Sequence, residues 1–209
     1  MTATQIRNEK LGPRVVDALK SRHFEAFYVQ TKAQALQKAL ELIPAGDTVS
    51  WGGSLTLQEI GLIDALKKGD YTVLDRANPK PGEDIARMAL TCDTYLMSAN
   101  AISEDGQLVN VDGNGNRLAA MIFGPKSVVV IAGVNKIVKT QKDAVVRART
   151  IAAPINCQRF PDNRTPCNQT GECADCKSVD SICVQIVTTR LCRPAGRIKV
   201  ILVGESLGF

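Results

Sequence analysis

Apolar residues recur along this chain with two periods, and the switches between them mark out its elements. Leu11, Val15, Val16 and Leu19 repeat at helical spacing, which predicts a helix over 6–21. Phe24 to Val29 is aromatic and β-branched and reads as a short strand. Thr31 can cap a second helix, in which Ala35, Leu36, Ala39, Leu40 and Ile43 form one apolar face. Pro44, Gly46 and Asp47 then break the chain before a strand over 48–51. A glycine turn follows, then a helix over about 55–68, a strand over 71–74, a helix over 82–92 and a buried strand over 94–97.

This alternation predicts an α/β protein with a mainly parallel sheet and helices on both faces. Ala101-Ile102 and Leu108-Val109-Asn110, joined through Asp105-Gly106, read as a hairpin. Leu118 to Phe123 reads as a helix. Ser127 to Ala132 is apolar on both faces, as a central strand must be. A helix over 139–151 should turn Ala144, Val145, Ala148 and Ile151 inward. From Pro154 the chain becomes polar, cysteine-rich and aperiodic until a last strand over 198–203. The expected organisation is an α/β domain over 1–155, a cysteine-rich metal-binding elaboration over 156–192, and a terminal segment over 193–209 whose strand returns to the main sheet.

Composition narrows the function classes. Hydrophobic residues make up 44% of the 209 and charged residues 22%, ordinary for a globular chain. The first twenty residues are charged throughout, and the longest apolar run, Val128 to Val134, is too short to span a bilayer. The expectation is a cytoplasmic protein with no membrane partner. The net charge of +5 is dispersed and aromatic residues are few, which argues against nucleic acid and is compatible with small anionic ligands.

Candidate ligand-binding chemistry gathers in two places. Ser50-Trp51-Gly52-Gly53-Ser54 lies between a strand and a helix, where glycines admit close backbone approach and Ser50, Ser54 and Thr56 offer hydroxyls. It is neither a dinucleotide fingerprint nor a P-loop, and a tight turn capped by Ser54 is the plainer account. Asn110-Val-Asp112-Gly113-Asn114-Gly115-Asn116-Arg117 is denser in polar turn formers than a simple loop needs. There Asp112, Asn114 and Asn116 could supply donors and acceptors, and Arg117 could grip a carboxylate or phosphate with two hydrogen bonds. Asn100, just past a strand end, and Lys136 are candidates for the same crevice.

Taken in order, the glycine turn, Ser98-Ala99-Asn100-Ala101-Ile102 with Asp105-Gly106, the Asp112–Arg117 segment and Gly133-Val134-Asn135-Lys136-Ile137-Val138 resemble the lactate-utilisation (LUD) domain family. Ala144, Arg147, Ala153, Pro154 and Asn156 continue that pattern. The resemblance implies a fold like the sugar-isomerase and CoA-transferase superfamily. It also implies a link to lactate or related 2-hydroxy-acid utilisation, beside iron–sulfur oxidoreductase subunits as partners. It supplies no catalytic residue: related CoA transferases use a Glu nucleophile, and no equivalent stands out here.

Of seven cysteines, six lie between Cys157 and Cys192. Cys167, Cys173, Cys176 and Cys183 form C-x5-C-x2-C-x6-C, four thiols close enough in sequence to meet at one centre. A reduced compartment favours metal over disulfides, and the single His, His23, leaves an all-thiolate set. Four thiolates suit a [4Fe–4S] cluster or tetrahedral zinc. Irregular loops around one Cys-x2-Cys fit the cluster better, because its irons spread the ligands apart. Cys157 and Cys192 flank the set as reserve ligands or free thiols, and Cys92 reads as a small buried hydrophobe. Three functions remain open: 2-hydroxy-acid metabolism with an iron–sulfur centre, a sensing module with structural zinc, or acyl or CoA transfer.

Overall fold

A computed structural model describes residues 1–209. Six strands form one all-parallel sheet in the order β1 (Glu25–Val29), β10 (Ile198–Val203), β7 (Ser127–Gly133), β4 (Thr94–Met97), β2 (Thr48–Trp51) and β3 (Thr72–Leu74). The last strand of the chain therefore lies inside the sheet, between β1 and β7. The alternation of side chains along each strand sends neighbours to opposite faces. Val128, Val130, Val200 and Leu202 pack in one core with Tyr95 and Met97, while Val129, Ile131, Ile201 and Val203 join Leu96 in the other.

Helices cover both faces. Helix α1 (Ala3–Ser21) brings Leu11, Val15, Val16 and Leu19 to the first core, beside Ala120 and Met121 of α6 (Asn116–Ile122). Helix α2 (Lys32–Leu42) covers the second face, starting at Thr31 with the reciprocal Thr31–Gln34 capping box. The helix expected over 55–68 is two: α3 (Leu55–Glu59) and α4 (Leu62–Lys68), broken where Gly61 takes φ +74°. The glycine turn therefore leads into only five helical residues, whose dipole is slight. The helix expected over 82–92 shortens to α5 (Ile85–Met88), because Asp84 caps its start.

A second, four-stranded sheet stands beside the first, in the order β8 (Ile137–Val138), β5 (Ala101–Ser103), β6 (Leu108–Asp112) and β9 (Gln185–Thr189). Strands β5 and β6 are the expected hairpin. Its Gly106, at φ +85°, turns directly against α1, where a Cβ would sit 2.6 Å from the carbonyl carbon of Ala18. Strand β9, read as aperiodic from sequence, pairs antiparallel with β6 and ties the cysteine-rich segment into this sheet. Helix α7 (Gln141–Arg147) runs on through a π turn over 148–152 into α8 (Ala153–Cys157). Ala144 and Ala148 face the second sheet as expected, but the wider turn rotates Ile151 into solvent. A short α9 (Pro166–Thr170) follows. No helix is long and apolar enough to cross a membrane.

Candidate functional site

An open crevice with a cavity volume of about 70 Å³ lies at the carboxyl ends of β2, β4 and β7, the usual ligand position in a parallel sheet. Of the residues singled out in the sequence, Gly52, Gly53, Ser54, Asn100, Arg117 and Lys136 line it. Ser50, Asp112, Asn114 and Asn116 do not. Ser50 is buried behind the turn, its hydroxyl donating to the Leu74 carbonyl at 3.0 Å. Asp112 is 3% exposed and serves the scaffold. Its Oδ2 accepts the backbone N–H groups of Arg117 and Leu118, at 3.0 and 3.1 Å, and its Oδ1 pairs with the Arg117 guanidinium at 3.1 Å.

That ion pair changes the reading of Arg117, which also donates to the Val111 carbonyl at 3.0 Å. Part of its bidentate capacity is spent inside the protein. Gly52 makes room for it, since a Cβ there would meet Arg117 Cδ at 2.8 Å. The glycines of the Asp112–Arg117 segment likewise have local reasons. Gly113 admits the backbone of Ile182, 3.3 Å from where a Cβ would lie, and Gly115 takes φ +77° ahead of α6. Much of this segment's density is therefore the seat of the cysteine-rich chain.

Lys136 sits in a 3₁₀ turn directly after β7 and is 4% exposed. Its Nζ donates to Ser98 Oγ at 2.9 Å and to Thr56 Oγ1 at 3.4 Å. Burial, and then the nearby Arg147 guanidinium, pull its pKa from 10.5 down to about 7, with Glu59 opposing weakly. Arg147 is itself buried and donates only to backbone carbonyls, those of Asn135, Asn100 and Phe209. Arg159, just past α8 at the start of the cysteine-rich segment and given no role in the sequence analysis, also lines the crevice, as do Ser98 and Asn156. No Asp or Glu does. Ser54 Oγ is buried without a hydrogen-bond partner. The crevice thus combines Arg159, the remaining donors of Arg117 and the Lys136 amine with an unfilled hydroxyl, an arrangement that attracts a small anion.

Cys167, Cys173, Cys176 and Cys183 all line a second cavity, of about 180 Å³. Burial and the three companion thiols raise the Cys183 thiol to about 11. No three His, Cys, Asp or Glu side chains lie close enough to share one metal ion. Arg149, paired with Asp175, flanks the cavity. Cys157 stands behind the set, buried, its Sγ 3.0 Å from Thr165 Oγ1, which lies 3.3 Å from Cys167 Sγ. Cys192 belongs to the main core instead, accepting the Ile198 N–H at 3.3 Å. Ala153 and Ile182 line both this cavity and the crevice, forming a common wall.

No curated protein matches the chain. Among solved structures, a DUF162 family protein from Deinococcus radiodurans superposes with a TM-score of 0.55 at 12% identity, covering 94% of this chain and 98% of that one. Ribose 5-phosphate isomerase A from Neisseria gonorrhoeae aligns over 53% of this chain and 54% of its own, with 23% identity and a TM-score of 0.36. The LUD domain family matches residues 13–203. By that match, spanning both sheets and the cysteine segment, the chain belongs to the LUD domain family.

Proposed function

We propose that this chain serves the metabolism of lactate or a related 2-hydroxy acid, binding a small carboxylate in the crevice beside an iron–sulfur centre held by Cys167, Cys173, Cys176 and Cys183. The observation that carries this reading is the common wall: the four-thiol cavity and the cationic crevice share Ala153 and Ile182. The donor set suits the group. Four thiolates are the usual ligands of a [4Fe–4S] cluster. Zinc needs all its sulfurs about 2.3 Å from one point, whereas these thiols surround a cavity of about 180 Å³ with no three gathered for one ion. When bound, such a centre supplies one-electron transfer.

The chain's own residues do the rest. Arg159 offsets the ligand's charge, with Arg147 buried behind the crevice, and the Lys136 amine adds a hydrogen-bond donor. The hydroxyls of Ser54, Thr56 and Ser98 orient its oxygens, and Met97, Val111 and Ile182 wall out water. Transfer of acyl groups through a Glu nucleophile is disfavoured, because no Asp or Glu side chain lines the crevice and Glu59 accepts the Gly208 N–H at 2.8 Å. Electron exchange with the cell falls to a separate iron–sulfur oxidoreductase subunit.

Purification under strict exclusion of oxygen, followed by iron, acid-labile sulfide and zinc analysis, tests the reading. The expected protein is brown and holds iron and sulfide in a one-to-one ratio, both lost in Cys183→Ser. Zinc without sulfide would instead make the segment a structural zinc module and the protein a sensor.

A further inference from the structure

We propose that Lys136 is a nucleophile, its Nζ condensing with the ketone carbon of a small 2-oxo acid held in the crevice. This rests on the anion reading of the crevice and names the substrate class more narrowly. The C–N bond forms as Nζ attacks the carbonyl carbon. The carbonyl oxygen leaves as water with two protons drawn from the amine, and the imine that results involves no net oxidation.

Three features of the site converge on this chemistry. First, Lys136 has no carboxylate partner, and its contacts are two hydroxyls, Ser98 Oγ at 2.9 Å and Thr56 Oγ1 at 3.4 Å. A lysine that only needed to anchor a strand end would be expected to hold an acid, as Lys67 holds Asp75 and Lys139 holds Glu104. Second, the charged groups facing it are Arg147 from α7 and Glu59 from α3, and the cation outweighs the acid. Desolvation beside a second cation is a recognised way of freeing a lysine lone pair for attack on a carbonyl. The pKa near 7 agrees, leaving a large neutral fraction at neutral pH. Third, the groups that would complete the reaction are in place. Ser98 and Thr56 adjoin the amine and can pass a proton to the departing oxygen, while Arg159 and the unpartnered Ser54 hydroxyl line the same crevice for the carboxylate.

Reductive trapping tests the inference on the whole chain. The protein is incubated with pyruvate and cyanoborohydride, then analysed by intact mass and peptide mapping, with the thermal shift produced by pyruvate alone measured in parallel. The expected product is one adduct per chain on Lys136, heavier by pyruvate less one oxygen. It should be lost in Lys136→Arg, suppressed by excess lactate, and formed faster as the pH rises through 7. A thermal shift with no adduct, or adducts spread equally over surface lysines in both proteins, overturns the nucleophile and leaves the anion site standing. Neither shift nor adduct overturns the anion reading as well.

Discussion

Lys136→Met removes a buried charge while keeping most of the side chain's length. Lys136 is 4% exposed, and its pKa falls from 10.5 to about 7 because burial and Arg147 disfavour the ammonium form. At about 1.4 kcal/mol per pH unit, holding that proton costs the folded state about 5 kcal/mol below pH 7. The two hydroxyl hydrogen bonds lost with it are worth about 1–3 kcal/mol together. The variant should therefore be more stable than the natural protein by about 2–4 kcal/mol near pH 7, raising Tm by roughly 5–15 °C in a chain of this size. It should also lose affinity for carboxylates.

The pH dependence gives the sharper test. Between pH 7 and 10.5 the unfolded chain keeps a proton at Lys136 that the folded chain has shed, so unfolding takes up a proton. Stability from this residue thus rises with pH across that window, by at most about 1.4 kcal/mol per pH unit. Urea denaturation of both proteins at several pH values inside the window measures it, since other titrating groups are common to both. The variant's advantage should shrink steadily as pH rises. A difference that does not change with pH, or a variant less stable than the natural protein, would refute the reasoning.

Other perturbations have equally definite outcomes. Cys167→Ser should lower iron and sulfide loading on anaerobic reconstitution, whereas Cys192→Ser, in the main core, should leave it unchanged. Asp112→Ala strands the Arg117 guanidinium and two helix N–H groups, and should cost about 3–5 kcal/mol by urea denaturation. Gly106→Ala forces a Cβ onto the α1 backbone at φ +85°, and should lower stability by about 2 kcal/mol or more. Ala153→Leu thickens the common wall and should weaken lactate binding by about tenfold, or 1.4 kcal/mol, in calorimetric titration.

The sheet was legible because period-two alternation survives in β7 and β10, whose odd and even residues divide cleanly between the two cores. Thr31 announced α2 through its cap for a similarly local reason. What the sequence concealed depends on contacts distant in the chain. Gly61 lies within an apolar helical pattern, and only its left-handed backbone reveals the break. Gln185–Thr189 carries four β-branched residues in succession, a strand signal masked by the aperiodic cysteine-rich chain before it, and β6 supplies its partner. The four cysteines and Lys136 were visible as residue types with known chemistry. The division of labour around Asp112 was not: the same Asp, Gly and Asn residues that suggest a ligand loop also suit a loop that seats Ile182 and holds Arg117. Arg159 gave no local signal, since its place at the crevice depends on how α8 ends.

Electron–nuclear double resonance on the reduced protein, with lactate carrying a ¹³C-labelled carboxylate, tests most directly whether the crevice and the thiol cavity form one site. A paramagnetic iron–sulfur signal with a resolved ¹³C coupling, lost in Ala153→Leu, is the predicted result. A protein that binds lactate but has no iron–sulfur signal, or whose signal shows no coupling to the bound carboxylate, would contradict the account.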